Sequence, residues 1–588
     1  MTILPFLNVT QSCLGKRWSL KTADERMTLC LAQQFDLPEI IARLLSSRGV
    51  TPETAEDFLN PTLKKLMPDP SHLIDMDKGI ARVAAAIKAR ETIAIFGDYD
   101  VDGATSSAVL KKYFEAIGAT VLVHIPDRIK EGYGPNVPAF ENLKQQGAKV
   151  IITVDCGTNA FEPIAAGKEM GVDVIVLDHH VAEPKLPDAY AVINPNRLDE
   201  TSDLKHLAAV GLSFLFITGL NRYARQQGWF KTEMAEPKLI ELLDMVALGT
   251  VCDVVSLTGL NRAYVAQGLK IMQRRQNLGL TTLSDTAGVN ERLSAYHAGF
   301  VLGPRINAGG RVGKADLGIQ LLSSQDPSQT LKISKQLEAL NKERQDIEAF
   351  VLQEALEQTE GQDTQVAIAA NSNWHPGVIG IVAGRLKEQY SKPACVISME
   401  NGIGKGSGRS VPGIDLGSLI HNAKQQGLLE AGGGHAMAGG FTVLEPNLIA
   451  FKNYMNDAIT KKMAEISYTP SLTIDAALTP RAASMDLLSH LEKLAPFGAG
   501  NPSPKFAFAN VRIAFAKIVG SNHVKCTIQG EDGAKLEAIA FRCVDQDLGQ
   551  TLLSTKKNLL HIAGSLKADT WMGRVTIKLY IDDVAEVS

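Results

Sequence analysis

Short apolar runs alternate with helical patterns in the first half of the chain. The runs Thr92–Phe96, Thr120–Ile125, Lys149–Val154 and Val172–Leu177 are almost continuously apolar and rich in β-branched residues. Strands of this kind, separated by helical segments such as 103–117, are typical of a parallel sheet that is covered on both faces. The pattern therefore predicts an α/β fold with a parallel sheet.

A helical pattern dominates the middle of the chain. Residues 328–360 contain no Gly or Pro, and leucines recur at helical spacing from Leu331 to Leu356. This predicts one long helix. Its position between two α/β regions favours a connecting helix, although a helix packed within one domain is the alternative.

Beyond this helix the pattern begins again. A strand, a helix, a second strand and two Gly-rich segments predict a second, smaller α/β domain. From about residue 465 short strands such as Val511–Ile518 and Val575–Ile581 predict a β-barrel, for which an OB-fold is a suitable size. The predicted parts are an N-terminal extension 1–70, a parallel-sheet domain 71–325, the connecting helix 326–362, the second α/β domain 363–464 and the β-barrel 465–588.

Composition narrows the class of protein. The chain has 588 residues, which is enough for several domains, and its net charge of −4 argues against non-specific duplex binding. Seven cysteines without a CxxC pair indicate reduced thiols and a cytoplasmic location. The most apolar stretch, Leu207–Leu220, is too short to cross a bilayer, so we expect no membrane association.

Acidic and histidine residues follow the predicted strands. They are Asp98, Asp100 and Asp102 after the first strand, Asp155 after the third, Asp178, His179 and His180 after the fourth, and Asp253 at the end of a helical segment. Because ligands of open α/β sheets lie outside the carboxyl ends of the strands, we expect these groups to converge in one crevice.

Clustered carboxylates and histidines suit hard or borderline divalent cations. Cations neutralise the repulsion within such a cluster, and the number of ligands fits two Mn²⁺ or Mg²⁺ ions that assist hydrolysis of a phosphate ester. Single members have simpler explanations, since a strand-end Asp is often a helix N-cap and a lone His pair is often structural. Their joint occurrence after several strands favours a metal centre.

The ordered motifs GDYDVDG (97–103), VDCG (154–157), DHH (178–180) and GTVCDVV (249–255) resemble the DHH phosphoesterase superfamily. Further motifs, GPRINA (303–308) with Arg311, GGGHAMAGG (432–440), and PFG (496–498) with GNP (500–502), resemble its RecJ family of bacterial single-strand-specific exonucleases. The resemblance extends from about residue 75 to the end. It implies a DHH domain, a DHHA1-like domain and an OB-fold domain.

The resemblance also implies roles for the clustered residues. The implied metal ligands are Asp100, Asp102, Asp155, His179 and Asp253, with Asp155 bridging two ions. Asp98 is then an acid at or beside the metals, and His180 faces the scissile phosphate. Many family members carry a histidine where this chain has Phe96, which cannot bind a metal. Either Asp98 or water replaces it, or that metal site stays empty.

Cationic and Gly-rich segments are the candidate nucleic-acid contacts. Arg305 and Arg311 flank a predicted tight turn close to Asn307. An arginine there binds phosphate and stabilises charge in the transition state, or it forms a structural salt bridge. The resemblance favours the catalytic role for Arg305 and implies phosphate contacts for Asn307 and Arg311. His435 lies in the Gly-rich GGGHAMAGG segment, and His375 lies at a predicted helix start, which also favours phosphate. The segment 404–410 is predicted as a Gly-rich loop. By resemblance, its Ser407 and Arg409, with Arg128, hold a terminal 5′-phosphate.

The resemblance implies a 5′-to-3′ exonuclease that hydrolyses single-stranded DNA to mononucleotides in recombination and repair. Its expected partners are single-stranded DNA, a single-strand-binding protein and a helicase. Two alternatives stay open. One is a phosphodiesterase or phosphatase of the same superfamily that acts on small substrates, and the other is a non-catalytic scaffold that binds single-stranded DNA.

Overall fold

The structure is a computed structural model that describes residues 4–128, 130–231, 234–466, 469–554, 558–571 and 574–587. The chain forms two compact units. One comprises residues 1–310, 315–335 and 471–588, and the other comprises residues 311–314 and 336–470.

The N-terminal segment contains one short strand and several helices. They are β1 (Arg17–Leu20), α1 (Glu25–Gln34), α2 (Glu39–Ser46), α3 (Pro52–Leu59) and α4 (Leu63–Leu66).

The first α/β domain is built on a five-stranded sheet. Its elements in chain order are α5 (Met76–Lys88), β2 (Thr92–Gly97), α6 (Val101–Ala116), β3 (Val121–His124), α7 (Val137–Gln145), β4 (Ala148–Val154), α8 (Phe161–Glu169), β5 (Asp173–Leu177) and β6 (Ala191–Ile193). All pairings are parallel, in the order β3-β2-β4-β5-β6. The predicted parallel sheet is confirmed. Because β3 and β4 flank β2 on opposite sides, the carboxyl end of β2 lies where the strand order reverses, which is where open sheets bind ligands.

Helices complete this domain. They are α9 (Ala209–Gln226), α10 (Leu243–Cys252), α11 (Gly259–Met272), α12 (Leu278–Thr286), α13 (Gly303–Val312) and α14 (Leu317–Ser323). The tight turn predicted around Arg305 and Arg311 is wrong. A π-helical stretch, His297–Leu302, continues directly into α13, so both arginines lie on a helix despite the glycines around them.

The predicted long helix is confirmed as α15 (Pro327–Thr359), which has 33 residues. The second α/β domain follows with β7 (Ala367–Asn371), α16 (Ile379–Tyr390), β8 (Ala394–Glu400), β9 (Ile403–Arg409), α17 (Leu416–Gln425), β10 (Ala431–His435), β11 (Ala438–Leu444) and α18 (Leu448–Glu465).

The second sheet has the strand order β10-β11-β9-β8-β7. The Gly-rich segment 404–410, predicted as a loop, is instead mostly strand β9, which pairs with β8 and β11. Hydrogen bonding on both sides stabilises this strand and outweighs the low strand propensity of its glycines.

The C-terminal part comprises β12 (Ser471–Ile474), β13 (Ala476–Leu478), α19 (Met485–Glu492), β14 (Phe506–Val519), β15 (His523–Gln529), β16 (Lys535–Ala540), α20 (Asp547–Ser554), β17 (Leu560–Trp571) and β18 (Arg574–Glu586). Pairing of β14 with β17 closes strands β14 to β18 into a five-stranded barrel. The predicted OB-fold-like barrel is confirmed.

The N-terminal segment is part of the same core as this barrel. β1 pairs in parallel with β12, which begins at Ser471. Leu31 and Ile41 are fully buried in one hydrophobic cluster with Phe506 and Phe508 of the barrel. Burial of this apolar surface fixes the N-terminal segment on the barrel. Every helix in the described part of the chain is too short or too polar to span a bilayer.

Candidate metal centre

The acidic and histidine residues predicted to converge do so at the carboxyl end of the first sheet. Their ligand atoms form three overlapping groups, each with all atoms within 4.8 Å of one another. The groups are Asp98, Asp100 and Asp155; Asp155, His179 and His180; and Asp102, His179 and Asp253. Asp155 and His179 each belong to two groups, so they lie at the centre of the cluster.

Main-chain groups hold two of these carboxylates. Asp102 accepts hydrogen bonds from the amides of Ala209 and Val210, at 2.6 and 2.9 Å, at the start of α9. Asp100 is the N-cap of α6 and accepts the amide of Gly103 at 3.1 Å. An Asp is favoured at this position because its side chain satisfies an amide that has no partner within the helix.

Asp155 adopts an uncommon backbone conformation. Its φ of 62° lies in the left-handed region, where Asp and Asn are tolerated better than most residues. The residue is 3% exposed, and His179 Nε2 lies 3.3 Å from its Oδ1 and 3.6 Å from Asp253 Oδ2. Local strain at a buried carboxylate points to a functional constraint on its placement.

Burial and mutual repulsion raise the pKa values of the clustered carboxyls. Burial, followed by the charge of Asp100, raises the pKa of Asp98 and of Asp155 well above the usual range. The same two causes raise the pKa of Asp102 to about 7. Burial and the charge of Asp102 raise the pKa of Asp253 to about 9. Carboxylates arranged in this way are ionised together only when cations compensate their charge.

Several buried polar atoms of the cluster have no hydrogen-bond partner among the described residues. They are Asp98 Oδ1, His179 Nε2 and Asp253 Oδ2. Burial also lowers the pKa of His179 to about 4, which keeps its imidazole neutral and able to ligate. Buried polar atoms normally find partners, so these atoms fit the donor set of divalent cations.

Asp178 and Tyr133 are site residues that the sequence reasoning did not assign. Asp178 is buried, and its Oδ1 accepts a hydrogen bond from His180 Nδ1 at 2.7 Å. The Tyr133 hydroxyl donates to the main-chain oxygen of Asp155 at 3.1 Å and lies 3.3 Å from His180 Nδ1. Asp178 stands in the DHH triplet, which was a usable signal, whereas nothing in the sequence singled out Tyr133.

Phe96 lies in the hydrophobic core and not in the metal cluster. Its ring is fully buried, stacks on His124 with centroids 5.2 Å apart, and contacts Phe140 edge-on. Phe96 therefore contributes only to core packing, at the position where many DHH proteins carry a histidine. Asp98 shares a group with Asp100 and Asp155, which is the placement expected of a substitute ligand.

Arg128 and the helix that carries Arg305 and Asn307 lie beside the loop that follows β2. The Arg128 guanidinium stacks over the ring of Tyr99, 4.9 Å from its centroid. Helix α13, which carries Arg305 and Asn307, packs closely on the same loop, because a Cβ on Gly310 would lie only 2.6 Å from the Tyr99 oxygen. Arg305 also donates to the oxygen of Val301.

The remaining candidates lie together in the second unit. Arg311 donates to the Gly377 oxygen at 2.9 Å, and His375 Nδ1 accepts the Gly377 amide at 3.0 Å. Arg409 donates to Ser407 Oγ at 3.1 Å.

The sheet register connects this group with His435. Arg409 pairs with Ala438 of β11, which in turn pairs with His435 of β10, so the arginine and the histidine share one cross-strand row. Gly380 of α16 lies beside Ser407 and Arg409, with its Cβ position 3.0 Å from Ser407 Oγ. Because Gly380 has no side chain, Ser407 and Arg409 can pack against α16 at this point.

Three segments match known domain families. Residues 92–250 match the DHH family, N-terminal domain, residues 363–461 match the DHHA1 domain, and residues 474–583 match the RecJ OB domain. These segments correspond to the first sheet, the second sheet and the barrel.

Full-length relatives are similar over almost the whole chain. The single-stranded-DNA-specific exonuclease RecJ of Bacillus subtilis is 33% identical over 97% of this chain and 71% of that protein. The protein of the same name from Escherichia coli is 31% identical over 93% of this chain and 96% of that protein. The crystal structure of Thermus thermophilus RecJ in complex with Mn²⁺ is 26% identical, covers 96% of this chain and 78% of that one, and superposes with a TM-score of 0.79.

Proposed function

This chain belongs to the RecJ family of single-stranded-DNA-specific exonucleases, and we propose that it hydrolyses single-stranded DNA from one end with the help of two divalent metal ions. The observation that carries this proposal is the buried cluster around Asp155 and His179, in which carboxyls with raised pKa values surround a neutral imidazole. Such a cluster has no purpose in packing, because buried carboxylates destabilise a fold unless they are compensated.

We propose that Asp100, Asp102, Asp155, His179 and Asp253 hold Mn²⁺ or Mg²⁺, with Asp155 between the two ions. When bound, the ions would activate a water molecule and neutralise charge on the scissile phosphate. We propose that Asp98 completes the ligand set, which its closeness to Asp100 and Asp155 supports. A crystal structure of a relative contains Mn²⁺, and another contains Mg²⁺, which supports this choice of ions.

His180 and Arg305 are the proposed contacts of the reacting phosphate. Although burial acts to lower it, the hydrogen bond to Asp178 raises the pKa of His180 to about 9, so the imidazole carries a proton at neutral pH. A cationic imidazole stabilises the negative charge that develops on phosphate oxygens. Arg305 is proposed to act in the same way with its planar guanidinium.

We propose 5′-to-3′ polarity with release of mononucleotides. Ser407 and Arg409 are the proposed contacts of the terminal 5′-phosphate, with Arg128 as a further phosphate contact. Asn307, Arg311, His375 and His435 are proposed to contact the strand along its sugar-phosphate backbone. The Arg409–Ser407 hydrogen bond and the shared row of Arg409 and His435 support this assignment, since together they present a cation, a hydroxyl and an imidazole.

An exposed series of rings and a lysine supports a single-stranded substrate. Phe300 and Tyr296 are 73% and 56% exposed and stack with centroids 5.4 Å apart. Lys567 of the barrel lies over the rings of both Tyr296 and Tyr580, at 5.5 and 4.7 Å, and Tyr580 contacts Phe541, which is 48% exposed. We call these five residues the aromatic track. Unpaired bases stack on such rings whatever their sequence.

The proposed setting is DNA recombination and repair in the cytoplasm, where a helicase and a single-strand-binding protein would supply and cover the strand. All seven cysteines lie in the described part of the chain and none forms a disulfide, which supports a reducing compartment.

The test uses 3′-labelled single-stranded DNA with and without a 5′-phosphate, in Mn²⁺, Mg²⁺ or a chelator. We expect progressive shortening from the 5′ end that requires metal and is lost in Asp155→Asn. Duplex DNA of the same sequence should be resistant.

The alternatives predict other outcomes. Faster hydrolysis of dinucleotides than of long strands would favour a phosphodiesterase of small substrates. A wild-type protein that binds the strand but cleaves it in neither metal would favour the hypothesis of a non-catalytic scaffold. The absence of a metal-binding side chain at Phe96 would then be the first explanation to test.

A further inference from the structure

The loop Leu494–Pro502, which we call the glycine loop, lies against the segment Asp253–Thr258, which we call the Asp253 turn and which links α10 to α11. The amide of Leu257 donates to the oxygen of Ala499 at 2.8 Å. A Cβ on Gly500 would lie 2.0 Å from Ser256 Oγ, and a Cβ on Gly498 would lie 2.7 Å from Leu257 Cδ1. The two glycines therefore permit a close approach of the barrel domain to the metal cluster.

The glycine loop is itself held firmly. Arg262 of α11, with only 1% of its surface exposed, donates to the oxygens of Leu494, Ala495 and Pro496, at 3.0, 2.9 and 3.4 Å. The buried Asn501 amide donates to the oxygens of Leu494 and Pro496, at 2.8 and 2.9 Å. A buried guanidinium needs hydrogen-bond acceptors, and the loop carbonyls supply them to Arg262. The same hydrogen bonds hold the loop in this conformation.

Within the described part of the chain, the Asp253 carboxylate is not held by main-chain amides in the way that the Asp102 carboxylate is. Asp102 is held by two amides, but Asp253 Oδ2 accepts no hydrogen bond from the described residues. The place of this carboxylate therefore depends on the backbone of the Asp253 turn.

That backbone is strained at the next residue. Val254 has a φ of 59°, which is unusual for a β-branched residue, and its side chain is 72% exposed. Such a conformation persists only where the surroundings impose it. Besides the glycine loop, the Asn261 side chain contributes by donating to the Ser256 oxygen at 3.0 Å.

We propose that the glycine loop is a positioning element for the metal centre. It holds the Asp253 turn so that the Asp253 carboxylate lies with Asp102 and His179 in one ligand group. Gly500 and Gly498 are its positioning residues, because they allow close contact with the Asp253 turn. Arg262 and Asn501 hold the conformation of the loop by their hydrogen bonds. This inference rests on the proposed function, since it takes Asp253 to be a metal ligand.

The test compares two alanine variants of the full-length chain. Gly500→Ala places a Cβ against Ser256 at a φ of 71°, whereas the control Gly533→Ala imposes the same left-handed strain at a φ of 78° with no atom closer than 3.9 Å. Mn²⁺ binding is measured by calorimetry and by the loss of the free-ion signal in electron paramagnetic resonance. The Mn²⁺ concentration for half-maximal hydrolysis of single-stranded DNA is measured in parallel.

We expect Gly500→Ala to need about tenfold more Mn²⁺ in both measurements, as for other residues that orient metal ligands. Its rate at saturating Mn²⁺ should approach that of the wild type, and Gly533→Ala should match the wild type throughout. The double variant Gly500→Ala/Ser256→Ala lacks the colliding hydroxyl oxygen, so the Mn²⁺ concentration that it needs should return towards that of the wild type.

Equal Mn²⁺ affinity in Gly500→Ala and Gly533→Ala would overturn the inference while leaving the proposed function intact. A wild type that binds no Mn²⁺ would overturn the proposed function, and the inference with it. If circular dichroism shows that Gly500→Ala does not fold, Gly498→Ala replaces it, because the nearest atom is then the tip of the flexible Leu257 side chain. An unchanged Mn²⁺ requirement in Gly498→Ala would equally contradict the inference.

Discussion

Asp178 Oδ1 and His180 Nδ1 are 2.7 Å apart, and the same oxygen accepts the main-chain amides of His179 and His180 at 2.8 and 3.1 Å. The buried Asp178 carboxylate therefore orients both histidines of the triplet. Although burial acts to raise it, hydrogen bonds from His180 and Thr158 hold the pKa of Asp178 below its usual range. With Nδ1 bonded to an ionised Asp178, Nε2 is the nitrogen of His180 that remains for the proposed contact with the scissile phosphate.

The first prediction concerns this orientation. Asp178→Asn removes the charge that raises the pKa of His180 and permits the wrong tautomer, so we expect kcat to fall by about 100-fold. Mn²⁺ binding should persist. The control is Asp173→Asn at the opposite end of β5, where the carboxylate bonds to Arg82 at 2.5 Å. A fall of similar size in both variants would contradict the orienting role.

The second prediction separates stability from activity. Asp155→Asn should abolish hydrolysis and raise the melting temperature of the metal-free protein by roughly 2 °C, because it removes a buried carboxyl whose raised pKa lowers the stability of the metal-free fold near pH 8. Asn also tolerates the left-handed conformation at this position. Thermal unfolding in a chelator at about pH 8 measures the effect. A lower melting temperature would show that the Asp155 carboxylate contributes to the fold without metal.

The third prediction concerns pH. The folded-state pKa values of Asp102 and Asp253, about 7 and about 9, lie above those of an unfolded chain. The folded metal-free protein therefore binds more protons than the unfolded chain, and it loses stability as pH rises through these values. Mn²⁺ competes with the same protons and relieves the repulsion.

We accordingly expect the increase in melting temperature caused by Mn²⁺ to be larger at about pH 8.5 than at about pH 6. Scanning calorimetry with and without a chelator at both pH values measures it. The Asp155→Asn variant is the control and should show little Mn²⁺ effect at either pH. A larger Mn²⁺ effect at the lower pH would contradict the raised pKa values.

The fourth prediction concerns the aromatic track. Phe541→Ala and Tyr296→Ala should each weaken binding of long single strands by about 1–3 kcal/mol, because each removes one stacking surface. Hydrolysis of dinucleotides should change less than binding of long strands, since a dinucleotide offers at most two bases for stacking. The control is Phe350→Ala on α15, which removes another half-exposed phenylalanine. Fluorescence anisotropy with labelled oligonucleotides measures binding, and equal affinity in all three variants would exclude the track.

Much of the fold could be read from local patterns. The apolar runs ending at Phe96, Val154 and Leu177 predicted strands correctly, because strands covered on both faces must be apolar along their length. The acidic cluster could be predicted as well, since parallel strands bring their carboxyl ends to one edge. The order of motifs then indicated the family.

Other features were misread because tertiary contacts outweigh local preference. The glycines and cations of segment 404–410 are typical of a loop, yet hydrogen bonds to β8 and β11 make it a strand. The glycines near Arg305 and Arg311 suggested a turn, yet close packing of α13 on Tyr99 favours small residues on a helix. The predicted domain boundaries, and the roles assigned to single site residues, stay predictions.

By itself, the sequence determined the parallel sheet, the long helix, the barrel and the identity of the clustered acids, because these depend on side-chain periodicity and on order along the chain. Only the tertiary structure decided which atoms meet. The pairing of Arg17 with Ser471, the contact of Gly500 with Ser256 and the hydrogen bond from His180 to Asp178 depend on backbone placement to within an ångström. No local pattern encodes such placement, because it results from the packing of segments that are far apart in the chain.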